Sequence, residues 1–495
     1  MGRWGPLAAV CLGAFMLLVD VNIVTVALPD MARGLGTTFG ALQWVMDIYA
    51  LTLAALLMGA GTLADRIGRR RLYVSGLVTF AASSLVCGAS PDAATLIAAR
   101  AVQGAGAAAM FATTVALIAS SYEGRERSVA FGVWGAVSGA ASGVGPILGG
   151  LLTQHLGWRW IFLVNLPVSA VAIAVTLRHV RETRSPAAHR LDVLGLVLFA
   201  VAAGALTFGL TRGGVALWAS VGIAVVSGAG FVAVQRRAAY PTLDLGLFRR
   251  PGFVGVMIGS LAMSGAAFAT LINTSLWLRS VLGLSPMEAG LVILPLPAVS
   301  FVTSLLAGRL LHGVTPRWTV GGGLALIGAG GFAQAFLDAG SDWTALVPGL
   351  VVTGIGAGLA LPNVTAAAVA AVPPERGGMA SGAVGALRQL GYALGVAVLG
   401  AVFRSAVPGD PAASHDASGF ASGLSAAYAT AGTLALLAAA AVLLLVRRSA
   451  PPQQDAPSDQ KAPSRQDAPS RRASAPDRGQ PSPDPTSPTA STRSS

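Results

Sequence analysis

Three ionisable side chains stand inside long apolar runs: Asp20 in Leu18-Val-Asp20-Val-Asn22, Asp47 in Trp44-Val-Met-Asp47-Ile-Tyr49, and Arg100 in Leu96-Ile-Ala-Ala-Arg100-Ala-Val-Gln103. If each run is a helix, the three lie roughly 12, 9 and 9 Å from the same end of their helices, at about 1.5 Å per residue. That shared depth predicts one polar cluster. Two acids beside one arginine make a proton switch, because apolar surroundings favour the neutral carboxyl and a nearby cation favours the ionised one. Asp20 is the favoured proton-exchanging acid and Asp47 the alternative. The competing reading is structural: one acid simply neutralises Arg100, whose burial in hydrocarbon costs about 2.5–3.5 kcal/mol on insertion scales.

Elements that hold charges at such depth must be membrane helices, and the composition agrees. The chain has 495 residues, 54% hydrophobic and only 11% charged, with mean hydropathy +0.68. Soluble domains carry roughly a quarter charged residues. Apolar runs of about 20 residues, each long enough to cross a ~30 Å hydrocarbon core, recur throughout. They predict fourteen spans, near 7–29, 41–63, 72–90, 94–119, 129–154, 159–178, 191–211, 216–235, 252–278, 288–311, 318–338, 343–371, 379–403 and 423–446. The first run resembles a signal peptide but has no small-residue cleavage site and carries Asp20 and Asn22, so it is read as a retained helix.

Arginines gather in alternate loops, among them Arg66, Arg69, Arg70, Arg71, Arg125, Arg127, Arg178, Arg181, Arg184, Arg190, Arg236, Arg237, Arg249 and Arg250. The intervening loops hold only Arg33, Arg159, Arg212, Arg279 and Arg404. The positive-inside rule then places both termini in the cytoplasm, and the net charge of +12 reads as topology and not as nucleic-acid binding. Lys461 is the only lysine, which excludes a phosphate-binding Gly-Lys-Ser/Thr loop in the membrane part. The five histidines show no paired metal-ligand spacing, Cys11 and Cys87 fall on different spans, and no cofactor is expected. From residue 449 onward the Pro-, Ser- and Asp-rich composition predicts a disordered tail.

Two glycine-bearing stretches complete the pattern. Gly61-Thr-Leu-Ala-Asp65-Arg66-Ile-Gly68-Arg69-Arg70-Arg71 is a basic loop whose glycines permit a tight turn and whose Asp65 suits a helix N-terminus or an arginine. Gly139-Ala-Ala-Ser-Gly143-Val-Gly145-Pro146-Ile-Leu-Gly149-Gly150 gives a helix a groove without side chains, and Pro146 bends it, so it is built for close packing. A weaker echo of the basic loop, Gly308-Arg309-Leu-Leu-His312-Gly313, follows the tenth span. It suggests two related six-helix halves with spans seven and eight inserted between them.

These stretches resemble, in order, the signature loop, the arginine motif of span four and the antiporter motif of span five of the major facilitator superfamily. Leu18 to Pro29 is similar to the first-helix motif of its fourteen-span drug:proton antiporters, the EmrB and QacA type. Gly157-Trp158-Arg159-Trp160-Ile-Phe162-Leu-Val-Asn165-Leu-Pro167 resembles the opening of span six, and Arg388-Gln389-Leu-Gly391 that of span thirteen. The resemblance implies an all-α polytopic membrane protein of major facilitator fold. It would comprise an N-terminal half at 1–184, inserted helices at 185–250, a C-terminal half at 251–448 and the tail at 449–495. It further implies export of hydrophobic drugs or antibiotics from a bacterial cytoplasm, driven by the proton gradient, with Asp65 latching the halves near Gly377 and Gly378. Asn165 is expected to satisfy backbone groups freed by Pro167. Asn22, Gln103, Trp134, Asn273 and Arg388 are candidate lining for the substrate cavity, with Trp44, Tyr49, Phe268, Trp277 and Met263 as further aromatic or apolar lining. The alternative is an exporter of one metabolite such as an amino acid, sugar or siderophore; an intramembrane enzyme lacks any supporting motif.

Overall fold

The computed structural model describes residues 4–184, 192–238, 241–310, 314–372, 377–407 and 416–446. The described residues are helical nearly throughout. The N-terminal elements are α1 (Gly5–Leu35), α2 (Phe39–Ile67), α3 (Arg69–Ala89), α4 (Ala93–Ser121), α5 (Gly124–His155), α6 (Trp160–Leu163) and α7 (Asn165–His179). Then follow α8 (Val193–Arg212) and α9 (Gly214–Arg237). The C-terminal elements are α10 (Pro251–Phe268), α11 (Thr270–Ser280), α12 (Pro286–Ile293), α13 (Pro295–Leu310), α14 (Pro316–Gln334), α15 (Val347–Ala370), α16 (Gly377–Ala406) and α17 (Ala417–Leu445).

Local chemistry sets the boundaries. Thr38 caps α2 by accepting from the Ala41 amide, and Asp92 caps α4 by accepting from Thr95. That bond holds the exposed Asp92 carboxyl below its usual range. Ser285 and Glu288 form a reciprocal capping box at the start of α12. Pro251, Pro286 and Pro316 open their helices, where a missing amide proton costs nothing. Pro295 divides α12 from α13, because within a helix it removes one hydrogen bond and crowds the preceding turn.

Twelve helices among the described residues are long and apolar enough to cross a bilayer. Two further helices, α5 and α14, stand at the remaining sequence-expected positions but are not among the twelve. α5 opens on Arg125, Glu126 and Arg127 and is rich in Gly and Ser; α14 ends on Gln334 and carries Arg317.

Residues Met1–Arg448 form one compact unit. Within it α1 packs on α5 and α7, while α3 and α2 both pack on α4. On the C-terminal side α10 packs on α16 and α17, α14 on α15 and α17, and α13 on α15. The two sets are joined where α2 packs on α16, α5 on α12 and α13, and α1 on α11 and α12. The helices α8 and α9 pack on each other, and α8 also touches α2 and α16 at that junction. The expected tail, and His312 and Gly313 of the weaker loop echo, lie outside the described residues.

Candidate functional site

Arg100 is wholly buried and held by four helices. Its Nη1 donates to Asp20 Oδ2 at 2.6 Å and to Gln103 Oε1 at 2.7 Å, and its Nε donates to the Val45 carbonyl at 3.1 Å. The guanidinium carbon lies 4.1 Å from the Tyr49 ring centroid and 5.9 Å from that of Phe162. Aromatic faces attract a desolvated cation, so α2 and α6 cover what α1 and α4 neutralise.

Arg100 Nη2 is buried without a hydrogen-bond partner, whereas both Asp20 carboxylate oxygens are bonded. Asp20 Oδ1 accepts from Gln103 Nε2 at 3.1 Å and from Asn165 Nδ2 at 3.0 Å. Ser84 of α3 ties both amides together, accepting from Gln103 at 2.7 Å and from Asn165 at 3.3 Å. Asn165 therefore does not serve the backbone near Pro167, as expected from sequence. The chain breaks at Val164, between α6 and α7, and the first residue of α7 turns its amide into the Asp20 network.

Asp47 does not join that cluster. Val45 offers its carbonyl to Arg100, but Asp47 is two residues on and points about 200° around the helix, where α2 meets α16. It is wholly buried, and neither carboxylate oxygen has a hydrogen-bond partner. The charge acting on it is Arg404 of α16. One turn earlier Gln43 bonds that same helix: its Nε2 donates to the Val396 carbonyl at 3.3 Å, and its Oε1 accepts from Arg404 Nη1. Arg404 Nη2 also donates to the Thr211 carbonyl of α8 at 3.0 Å. The single depth of three charges is thus two sites on opposite faces of α2, one inside the N-terminal helices and one at the junction.

The α5 motif forms another part of the junction. A Cβ on Gly145 would come 2.7 Å from Asn22 Cβ, and one on Gly149 2.8 Å from the Ile23 carbonyl, so α1 lies directly in the groove. Gly150 is packed as closely on Met287 of α12, and the Pro146 carbonyl faces Gly290. Gly143 has Leu294 at ordinary contact distance, while the surroundings of Gly139 lie outside the described residues. At this same end Asp30 of α1 receives Arg279 of α11 at 2.8 and 3.0 Å. Asp30, Arg279, Gln43 and Arg404 were not singled out from sequence; Arg279 and Arg404 stood out only as rare arginines in the arginine-poor loops.

At the arginine-rich end, Asp65 Oδ1 accepts from Arg69 at 2.9 and 3.2 Å. Its expected partners near Gly377 and Gly378 have side-chain surroundings outside the described residues. The anchor of this loop is Glu182, whose carboxylate accepts from the Arg70 and Arg71 amides, both at 3.1 Å. Arg70 Nη2 donates to the Leu177 carbonyl at 2.9 Å. Gly68 has φ +110 and its missing Cβ would collide with the Glu182 carboxylate, so both backbone and space demand glycine. Gly61 has open space beside it, and Arg66 is exposed.

The candidate cavity residues scatter. Asn22 turns back to the Leu18 carbonyl at 2.7 Å and lines a cleft of about 10 Å³ with Thr25, Pro146 and Phe268. Gln103 belongs to the Arg100 network. Trp134 packs against the N-terminal apolar core, and its carbonyl accepts from Ser138 at 2.8 Å. Asn273 Oδ1 and Arg388 Nε are buried without a hydrogen-bond partner. The cleft at the helix junction is nearly closed, and a larger cavity of about 610 Å³ lies away from all these polar groups, behind α16.

A buried ion-pair network inside one set of helices, an unpaired acid where that set meets another, and a side-chain-free groove that seats α1 on α5 beside that junction define a polytopic helical transporter. The chain belongs to the Major Facilitator Superfamily, whose family model matches residues 10–396 and 341–485. It is 40% identical over 403 residues to the multidrug resistance protein Stp of Mycobacterium tuberculosis, covering 80% of this chain and 75% of that one. It is 35% identical over 406 residues to the methylenomycin A resistance protein of Streptomyces coelicolor, covering 81% and 85%. With the tetracenomycin C resistance and export protein of Streptomyces glaucescens the identity is 30% over 505 residues, covering 92% and 93%. The fold is similar to that of the human organic anion transporter MFSD10, with TM-score 0.61 at 18% identity over 89% of this chain and all of that one.

Proposed function

We propose that the protein is a proton-coupled antiporter that exports hydrophobic drugs or antibiotics, without a cofactor, through a fourteen-span bundle with both termini cytoplasmic. The names of the relatives support drug export, and α5 and α14 occupy the two places that would raise twelve spans to fourteen. In that orientation the Asp30–Arg279 pair, the Gln43–Arg404 contact and the α5–α12 packing lie at the outer end, and this conformation is closed to the outside.

One observation carries the coupling mechanism: Asp47 is buried at the junction without a hydrogen bond, while Asp20 is saturated. An ionised carboxylate with no hydrogen bonds is costly in an apolar site, so Asp47 carries the proton in this conformation and Asp20 is the ionised partner of Arg100. When the halves rock, α16 withdraws from α2 and water reaches Asp47, which then exchanges its proton with the opposite side. Differential contact of one acid with two conformations is what links proton flow to opening. The reading is tested by reconstituting the protein in vesicles and following efflux of a fluorescent hydrophobic dye against an imposed pH gradient. Transport of dye inward-to-outward that speeds with the gradient and stops on its collapse supports it; efflux indifferent to the gradient overturns it.

A further inference from the structure

The cavity of about 610 Å³ lies outside the path just described, and every residue lining it is apolar or glycine. Its walls come from α8 through Phe199, from the segment before α10 through Phe248, from α10 through Met257 and Ala262, and from α16 through Ala386 and Val398. Leu434 and Leu437 of α17 form a rim that is open on the surface, 45% and 64% exposed. Along α16 the lining runs from Ala383 to Leu399, roughly 24 Å at helical rise. A ~30 Å hydrocarbon core holds two leaflets end to end, so this length accommodates a full acyl chain from one of them.

One end of the cavity is charged. Phe248 is followed by Arg249 and Arg250, all three exposed. Arg250 is held in place by its bond to the Ala371 carbonyl at 2.8 Å. Arg236 and Arg237, exposed at the end of α9, belong to the same arginine-rich side. The acid in this segment, half-buried Asp244, caps the short helical turn that carries Phe248 by accepting from the Gly246 amide at 2.8 Å. An apolar slot with two arginines next in sequence to its Phe248 wall, one of them held in place, has the chemistry of an anionic phospholipid: phosphate at the arginines, one chain along α16.

We propose that this cavity is a binding site for an anionic phospholipid, whose acyl chain lies between α8, α10, α16 and α17 and whose headgroup engages Arg249 and Arg250. It rests on the transport reading only in assigning the lipid to the cytoplasmic leaflet. The site bears on transport because α16 presents one face to the cavity and another, through Val396 and Arg404, to Gln43 of α2. A bound chain fills the space into which α16 would tilt, and so braces the helix against α2.

The test uses the purified full-length protein, stripped of lipid in detergent and offered equal amounts of phosphatidylglycerol and phosphatidylcholine with the same chains. Native mass spectrometry counts the bound lipid, and dye efflux is measured separately in vesicles. The wild type is expected to keep one phosphatidylglycerol in preference to phosphatidylcholine. Arg249→Gln/Arg250→Gln keeps a lipid but loses the preference, by about fivefold for each arginine near the surface. Ala262→Trp, which fills the slot, loses the retained lipid. An unchanged preference in the double variant, or an unchanged lipid count in the Trp variant, overturns the assignment. So does displacement of the lipid by the transported dye, which would make the cavity a substrate site. Loss of pH-driven efflux with the lipid preference intact counts against the antiport mechanism alone.

Discussion

Arg100 Nη1 and Asp20 Oδ2 lie 2.6 Å apart with both side chains wholly buried, and the acid of α2 that sequence depth grouped with them faces the other way. The two acids therefore have separable roles. Asp20→Asn strands the Arg100 charge, and removing one partner of a buried pair typically costs about 3–5 kcal/mol. Asp47→Asn replaces an acid without hydrogen bonds, protonated in the mechanism proposed above, by a neutral amide at an interface. Both variants are expected to lose pH-driven efflux, but only Asp20→Asn should lower the thermal unfolding midpoint of the purified protein. Full pH-driven efflux in Asp47→Asn, measured in vesicles, would remove it from the coupling mechanism.

Asn165 holds Asp20 by donating a hydrogen bond to its carboxylate from an uncharged amide, so Asn165→Leu should cost about 1–3 kcal/mol, the penalty for leaving a buried acceptor short of a donor. Asn165→Asp is expected to be worse, since it sets a second carboxylate beside Asp20. Unfolding midpoints in detergent for the two variants give the order directly.

At Gly145 and Gly149 an added Cβ would come within 2.7 Å of Asn22 Cβ and 2.8 Å of the Ile23 carbonyl of α1. Gly145→Val and Gly149→Val are expected to express and insert while failing to confer resistance, because α1 and α5 can no longer close on each other. A proton-leak assay on vesicles separates failed closure from failed substrate binding. Resistance equal to wild type for either variant would make the groove ordinary packing.

The topology is checked by single cysteines. One at Gly124, the first residue of α5 on the arginine-rich side, should react with an impermeant thiol reagent only from the cytoplasm, and one at Ser341 only from outside. Cys11 and Cys87 are buried and give little background. Labelling of both from one side would refute fourteen spans.

Gly68→Ala meets two obstacles at once, a positive φ and the Glu182 carboxylate. Its damage should exceed that of Gly61→Ala, which faces open space. Comparing efflux for the two variants at matched expression isolates the loop geometry from its charge.

The sequence by itself determined the membrane class, the places of the helices, the family resemblance and the common depth of Asp20, Asp47 and Arg100; which acid pairs with Arg100 came from the structure. Each of these depends on composition, local periodicity or a contiguous motif, all of which survive in one dimension. The α5 groove was legible for the same reason, since four-residue glycine spacing means one face of one helix. What only the tertiary structure decided were facts about azimuth and about which helix faces which. Helical rise gives depth from sequence, but the partner of a face depends on how the other helices are arranged around it. Depth therefore grouped Asp47 with Arg100, whereas α2 turns Val45 to α4 and Asp47 to α16. Asn165, Glu182 and the Gln43–Arg404 contact escaped sequence reading likewise, because their partners lie 112 to 361 residues away.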